Sequence, residues 1–376
     1  MHPLPVVAIA TNISTSIGLS TADVWASVAN GHTGITNYTD EALSATPFWA
    51  SRLSKEQWAL IQADVLYKDL SPFEQMSVYS AQSALAQCKD QIDPARTLFI
   101  LSTTKGNIEW LGQYPDDRIA LSSSARMIAA ALQLPNTPVV ISHACVSGVV
   151  ALLYALRQMQ AGKYDHAIVT GADRFSQFVL NGFQSFQAIA DAPCRPFDAA
   201  RNGINLGEAA ATIILSTKAN APLARLFSGA TSNDANHISG PSRTGAELAM
   251  AASRALQEAG IAPEQIDMIS AHGTATLYND EMEAKAFAHA GLLHSALHSM
   301  KGYVGHTLGA AGILESAMVI ESMQRQQLIP SIGYNQSGVS EPLNVTTRLQ
   351  AADINYVLKT ASGFGGCNAV AVWGKG

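Results

Sequence analysis

Twice along this chain an apolar run passes through a small-residue turn into a long helical pattern. The first instance is Val139-Val-Ile-Ser-His-Ala-Cys145-Val-Ser-Gly148, continuing through residues 149–160. The second is Met300-Lys-Gly-Tyr-Val-Gly-His306-Thr-Leu-Gly309, continuing through residues 310–326. Short apolar runs followed by long helices predict an α/β protein whose strands are covered on both faces. The repetition points to two related halves and an old duplication, not to a short-period repeat. The pattern breaks at Lys218-Ala-Asn-Ala-Pro222, which places the halves at residues 1–218 and 219–376. A chain of 376 residues also exceeds what one hydrophobic core usually supports.

The same reading predicts strands over residues 6–11, 98–102, 139–143, 167–170, 211–215, 223–229, 268–271, 356–360 and 369–373. Helices are expected over 21–30, 72–88, 122–134, 147–161, 244–259, 280–290 and 308–326. Thr244, with Glu247 three residues on, carries the signature of a capping box.

Composition narrows the function classes. Hydrophobic residues make up 48% and charged residues only 14%, too little charge to clothe a monomer generously, so a subunit interface is expected. A net charge of -6 argues against a nucleic-acid partner, which requires a basic footprint. Residues 1–18 lack a charged segment followed by an apolar one, and no run of about 18 apolar residues occurs, so neither a signal peptide nor a membrane span is expected. Cys88, Cys145, Cys194 and Cys367 lie far apart without metal-ligand spacing, which suggests free thiols in a reducing cytoplasm.

Cys145 stands between a strand and a helix, where the helix N-terminus would favour thiolate and hence nucleophilic attack. A small buried thiol is the alternative reading. His272, in Ser270-Ala-His-Gly-Thr-Ala-Thr276, ends a strand at a glycine turn, and His306 opens a helix rich in small residues. Each reads equally as a packed histidine. Lys301 is either a surface lysine or an ammonium that orients His306. His294 and His298 would share a face if helical, but their run heads into a strand, so no metal site is expected. Ser362-Gly-Phe364-Gly365-Gly366-Cys-Asn368 is either a strand-connecting turn or a loop presenting an amide to a ligand.

Taken in order, Ala144-Cys145-Val-Ser-Gly148, Arg195-Pro-Phe-Asp198 with Leu206-Gly-Glu-Ala209, Ala271-His272-Gly-Thr274, the stretch from Lys301 to Gly312, and Gly363-Phe-Gly-Gly366 resemble the elongating β-ketoacyl-acyl carrier protein synthases of the thiolase superfamily. The resemblance covers nearly the whole chain. It implies a thiolase fold, an α/β arrangement of two pseudo-duplicated halves layered αβαβα. It implies a discrete acyltransferase for decarboxylative Claisen condensation, in fatty acid or in polyketide or pigment synthesis. Cys145 would hold the acyl group, while His272 and His306 would bind the malonyl thioester and stabilise its enolate. Lys301 would position His306. The amides of Cys145 and Phe364 would form the oxyanion hole, with the Phe364 side chain as a gate. Asp280, Glu283, Gly365 and Gly366 would support the site. No cofactor is implied beyond the phosphopantetheine of an acyl carrier protein, the expected partner, and the enzyme would be a homodimer or a heterodimer with a paralogue.

The chain departs from that family in four places. The stretch from Thr103-Thr-Lys-Gly-Asn107 to Cys145 is short, Leu277 stands where proline is common, Asn202 and Asn205 flank Gly203-Ile204, and Cys367 replaces a usual threonine. The main rival is a chain-length-factor-like partner subunit, against which the retained Cys145 counts. An initiating synthase would carry asparagine in place of His306, a thiolase would use a second catalytic cysteine, and an oxidoreductase would show a dinucleotide fingerprint. The family's carrier is acidic, so a basic patch is expected at the pocket mouth, with Arg52, Lys55, Lys68 and Arg201 as candidate members.

Overall fold

The computed structural model describes residues 4–64, 69–219, 221–235 and 240–376. All nine expected strands form, and they join one ten-stranded sheet. Its order is Ala296–His298, Met268–Ser270, Tyr356–Gly363, Cys367–Gly374, Ala224–Asn233, Val6–Ser14, Ala209–Ser216, His166–Asp173, Thr97–Ser102 and Val139–Ile141. The tenth strand, Ala296–His298, was not foreseen. Three residues ending in histidine leave too short an apolar run to read.

The sheet carries the duplication in its hydrogen bonding. Val6–Ser14 and Ala224–Asn233 pair antiparallel at the centre. Outward from there, each flank runs antiparallel, antiparallel, parallel, parallel. Val139–Ile141 and Ala296–His298, each three residues long, close the two ends.

Period-two alternation sorts the strand side chains into layers. Leu98, Ile100, Ala211, Ile213, Ala369 and Trp373 face the central core, which also holds the Ser147–Gln160 and Ala311–Arg325 helices. Phe99, Leu101, Ala210 and Ile214 face the opposite way, under the Pro72–Leu85 helix. Val370 and Val372 turn from the centre toward the Ala246–Ala259 helix. Helix, sheet, central helices, sheet, helix is the αβαβα order expected. The central Ala311–Arg325 helix is buried along almost its whole surface, as a layer enclosed on both sides must be.

Local departures have local causes. The Ala246–Ala259 helix is capped by Gly245, not Thr244. Gly245 takes φ +72°, and a Cβ there would lie 2.5 Å from Met282 O, so the chain enters through a turn only glycine fits. Thr244 Oγ1 instead accepts the Ala246 amide at 3.3 Å. Helices Lys55–Asp64 and Gln177–Ser185 and a small sheet of Ile35–Tyr38, Phe48–Ser51 and Leu206–Gly207 add to the expected elements. No helix among the described residues is long and apolar enough to cross a membrane.

Candidate active site

The Cys145 turn is tight. Ala144 takes a positive φ of 45°, and the helix starts at Ser147. The Ser147 hydroxyl accepts the His143 amide at 2.7 Å and donates to Ala144 O at 2.6 Å, pinning the strained residue and the one before it. This brings Cys145 to the end of a cavity of ≈ 430 Å³ that His272 and His306 also line.

His306 is positioned by backbone. Its amide donates to Asn205 O at 2.7 Å, and its carbonyl accepts the Gly207 amide at 2.9 Å. Gly207 has no room for a side chain, because a Cβ would sit 1.9 Å from Val304 O. Asn205, one of the departures, also holds the neighbouring loop: Oδ1 accepts the Cys194 amide at 2.6 Å and Nδ2 donates to Ala192 O at 3.1 Å. Asn202 bonds to Asp191.

His272 is set from below by an acid on the Leu277–His289 helix. Glu283 accepts the His272 amide at 2.8 Å, the Gly273 amide at 2.6 Å and the Thr360 hydroxyl at 2.9 Å. Asp280, one turn earlier, accepts the Phe197 amide at 2.7 Å and the Ala275 amide at 3.2 Å. Both carboxylates therefore act on the loops that shape the site, as the supporting role implies. Burial pushes the Asp280 carboxyl up to about 7 against the pull of those amides.

The three side chains converge. Cys145 Sγ lies 2.9 Å from His306 Nε2, and the His272 and His306 rings meet edge to face with centroids 5.1 Å apart. One donor atom from each of Cys145, His272 and His306 falls within 4.8 Å of the others.

Their electrostatics differ from the expectation for Cys145. A helix end is worth at most about 2 kcal/mol to an anion. Burial outweighs it, holding the thiol up at about 12, with Cys367 adding to the rise and Lys301 opposing it. The resting sulfur is a thiol. His272 and His306 are held well below the usual histidine range, first by burial and then by the nearby Lys301 ammonium. Thiol and imidazoles are all neutral at rest.

Lys301 is not a surface lysine. It is wholly buried and pairs with Glu315 on the central helix. The other Glu315 oxygen lies 2.6 Å from the Nζ of Lys359, equally buried. Sequence reasoning passed over Glu315 and Lys359, although each interrupts an otherwise apolar run that the fold buries. A charge in such a run signals a partner, because an unpaired buried charge is costly.

Residues 363–366 form the hairpin turn between Tyr356–Gly363 and Cys367–Gly374, with Gly365 and Gly366 at φ 86° and 72°. They also meet the cysteine, since a Cβ on Gly363 would lie 3.0 Å from Cys145 N. Phe364 is 39% exposed and lines the cavity, its ring stacked on Phe183 at 5.6 Å and tilted against Phe186 at 5.3 Å. Leu277 and Tyr278 line it as well, largely exposed.

The remaining expectations fare unevenly. Arg201 is buried, donating to the carbonyls of Asp198, Gly338 and Leu277, so it belongs to the frame and not to a surface patch. Its reach toward Asp280 explains the burial: a guanidinium has enough donors to serve several loop ends at once. Arg52 pairs with Asp40 at 3.3 Å, Lys55 begins an exposed helix, and Lys68 lies outside the described residues. His298 ends a strand and is wholly buried, so His294 and His298 do not share a helix face. Cys194 is buried against Lys301 O at 3.2 Å.

Comparison with known proteins agrees with this geometry. The β-ketoacyl synthase N-terminal domain matches residues 68–221, and the β-ketoacyl synthase C-terminal domain matches residues 223–335. A 3-oxoacyl-[acyl-carrier-protein] synthase 2 of Mycobacterium leprae (strain TN) is 29% identical over 319 residues, 76% of this chain and 75% of that protein. A putative polyketide beta-ketoacyl synthase 1 of Streptomyces virginiae is 35% identical over 269 residues, 67% of this chain and 63% of that one. Among solved structures, the ishigamide ketosynthase/chain length factor superposes with a TM-score of 0.91 at 26% identity, covering 100% of both chains. With both domain families matched in succession over residues 68–335 and a cysteine and two histidines gathered at one cavity, the chain belongs to the β-ketoacyl synthases, thiolase-fold condensing enzymes of the acyltransferase type.

Proposed function

We propose that Cys145, His272 and His306 are the catalytic residues of this synthase and that they divide two steps between them. The meeting of one sulfur and two neutral imidazoles at the end of a single cavity carries the reading.

In the first step the Cys145 proton passes to His306 Nε2, 2.9 Å away, as the sulfur attacks the thioester of an acyl carrier protein. The carrier leaves as a thiol, taking that proton. A thiol held near 12 needs such a base at neutral pH. In the second step a malonyl thioester enters, and hydrogen bonds from His272 and His306 stabilise the enolate left by loss of carbon dioxide. The enolate carbon attacks the acyl carbonyl. The amides of Cys145 and Phe364 hold the oxyanion, the sulfur leaves as thiolate and takes a proton from solvent, and a β-ketoacyl thioester departs on the carrier. Lys301 positions His306 from beneath, Phe364 gates the cavity, and Asp280, Glu283, Gly365 and Gly366 hold the loops.

In this reading no metal or organic cofactor takes part, and both substrates arrive on phosphopantetheine in the cytoplasm. The subunit pairs with a second copy or a paralogue, and its two halves divide at residues 218 and 219.

Intact-mass analysis tests the division of labour. After incubation with acyl carrier thioester, the His272→Ala variant acquires an adduct on Cys145 near the wild-type rate but forms no ketoacyl product. His306→Ala slows both steps, because it alone touches the sulfur. Equal loss of acylation in both variants refutes the assignment. Malonyl decarboxylation by the wild type without an adduct would instead favour a chain-length-factor-like partner subunit.

A further inference from the structure

Near the two imidazoles, the ends of Met268–Ser270 and Ala296–His298 lie abreast of the middle of Tyr356–Gly363. Ser270 is in register with Lys359 on one side and His298 on the other. Lys359 is wholly buried, and its Nζ donates to Ser270 O at 3.0 Å and to Thr360 O, and reaches Ala271 O at 3.5 Å. Ser270 and Ala271 are the two residues before His272. The same Nζ meets Glu315, whose other oxygen takes Lys301, five residues before His306. Two lysines thus share one carboxylate in the buried interior.

We propose that Lys359 is a positioning residue for the two-histidine site: it ties the strand end carrying His272 to the carboxylate that holds Lys301, and it sets a buried cation near both imidazoles. This rests on the roles given above to His272 and His306. Neutrality matters because His306 must accept the thiol proton, and an imidazolium has no lone pair to do so.

Sequence position makes this more than packing. A lysine in the middle of Tyr356–Gly363, among Val357, Leu358 and Ala361, gives up its hydration and long-chain freedom, costs that apolar residues would avoid. Thr360, the next residue, binds Glu283, which holds the His272 and Gly273 amides, so one strand grips the His272 loop twice. The titratable and charged groups packed around the pair are the Cys145 thiol, Glu283 and Asp280 on the Leu277–His289 helix, His298 on the adjacent strand, Glu315 on the central helix, and the two lysines. Burial is the first cause of the low basicity of both imidazoles, and Lys301 and Lys359 push in the same direction.

The test begins with wild-type protein carrying isotope-labelled histidine, titrated by NMR. Both imidazoles should stay neutral down to pH 5, and protonation of either near pH 6.5 would overturn the proposal. In Lys359→Met the acid limb of the condensation rate should move up by about one pH unit. Lys359→Arg, which keeps the charge, should hold the limb in place. A Lys359→Met enzyme slowed equally at every pH, with its acid limb unmoved, would reduce the lysine to a structural part and sink the idea. Should that variant fail to fold, Lys359→Gln is read in its place for the same shift of the acid limb. Absence of an adduct on wild-type Cys145 would count against the catalytic reading and leave the histidine titration to be judged separately.

Discussion

The two halves use one local design for different ends. Each runs from a strand through a strained or glycine-rich turn into a central helix, and the two helices cross where Gly148 meets Gly312. A Cβ on Gly148 would lie 2.8 Å from Gly312 Cα, and one on Gly312 would lie 2.5 Å from Val149 N. This close crossing brings the starts of both helices, and so Cys145 and His306, to the same place. Around Cys145 the turn is closed by an uncharged hydroxyl, that of Ser147. The His306 half instead sits on Lys301, Glu315 and Lys359. The duplicated scaffold supplies position, and the buried charges beside the His306 turn add electrostatic control.

The largest effect that would break this contrast concerns the thiol. If the cysteine turn set its own reactivity, Cys145 would alkylate as a thiolate at neutral pH. With the thiol held at about 12, iodoacetamide modification followed by peptide mass mapping should accelerate about tenfold per pH unit from 7 to 9. A rate already flat across that range would return control to the helix end.

The next effect tests the crossing itself. Gly312→Val forces a branched side chain against Val149 N and should destabilise the fold by about 3 kcal/mol, read from chemical denaturation. A loss below about 0.5 kcal/mol would mean the helices can part without harm, and that their closeness does not set the site.

The smallest effect sharpens the picture of the cysteine turn. Ser147→Ala removes the hydrogen bonds to the His143 amide and the Ala144 carbonyl and should cost about 1 kcal/mol, with slower acylation of Cys145. Unchanged acylation in a destabilised variant would show that the strained turn holds its shape without its hydroxyl.

Much of this was legible from residues alone, for reasons specific to each. The strand at Thr97–Ser102 and the helix at Ser147–Gln160 declare themselves because their apolar spacing is long enough to show a period. Ala296–His298 is too short to show one. Cys145, His272 and His306 stood out at strand ends and glycine turns, where backbones bend and side chains meet ligands. Arg201 misled, because an arginine among polar residues looks exposed until several carbonyls are found around its guanidinium.

The sequence by itself determined the alternation of buried strands with helices and the likeness of the two halves, since these follow from short-range periodicity, and it singled out Cys145, His272 and His306 as candidates by residue chemistry and placement. Only the tertiary structure decided that a sulfur and an imidazole 161 residues apart would touch. It also decided that the thiol rests protonated and that Lys359 shares Glu315 with Lys301. Contact across the chain depends on how helices pack, and protonation depends on how completely the packing removes water. Neither is a property of any one segment.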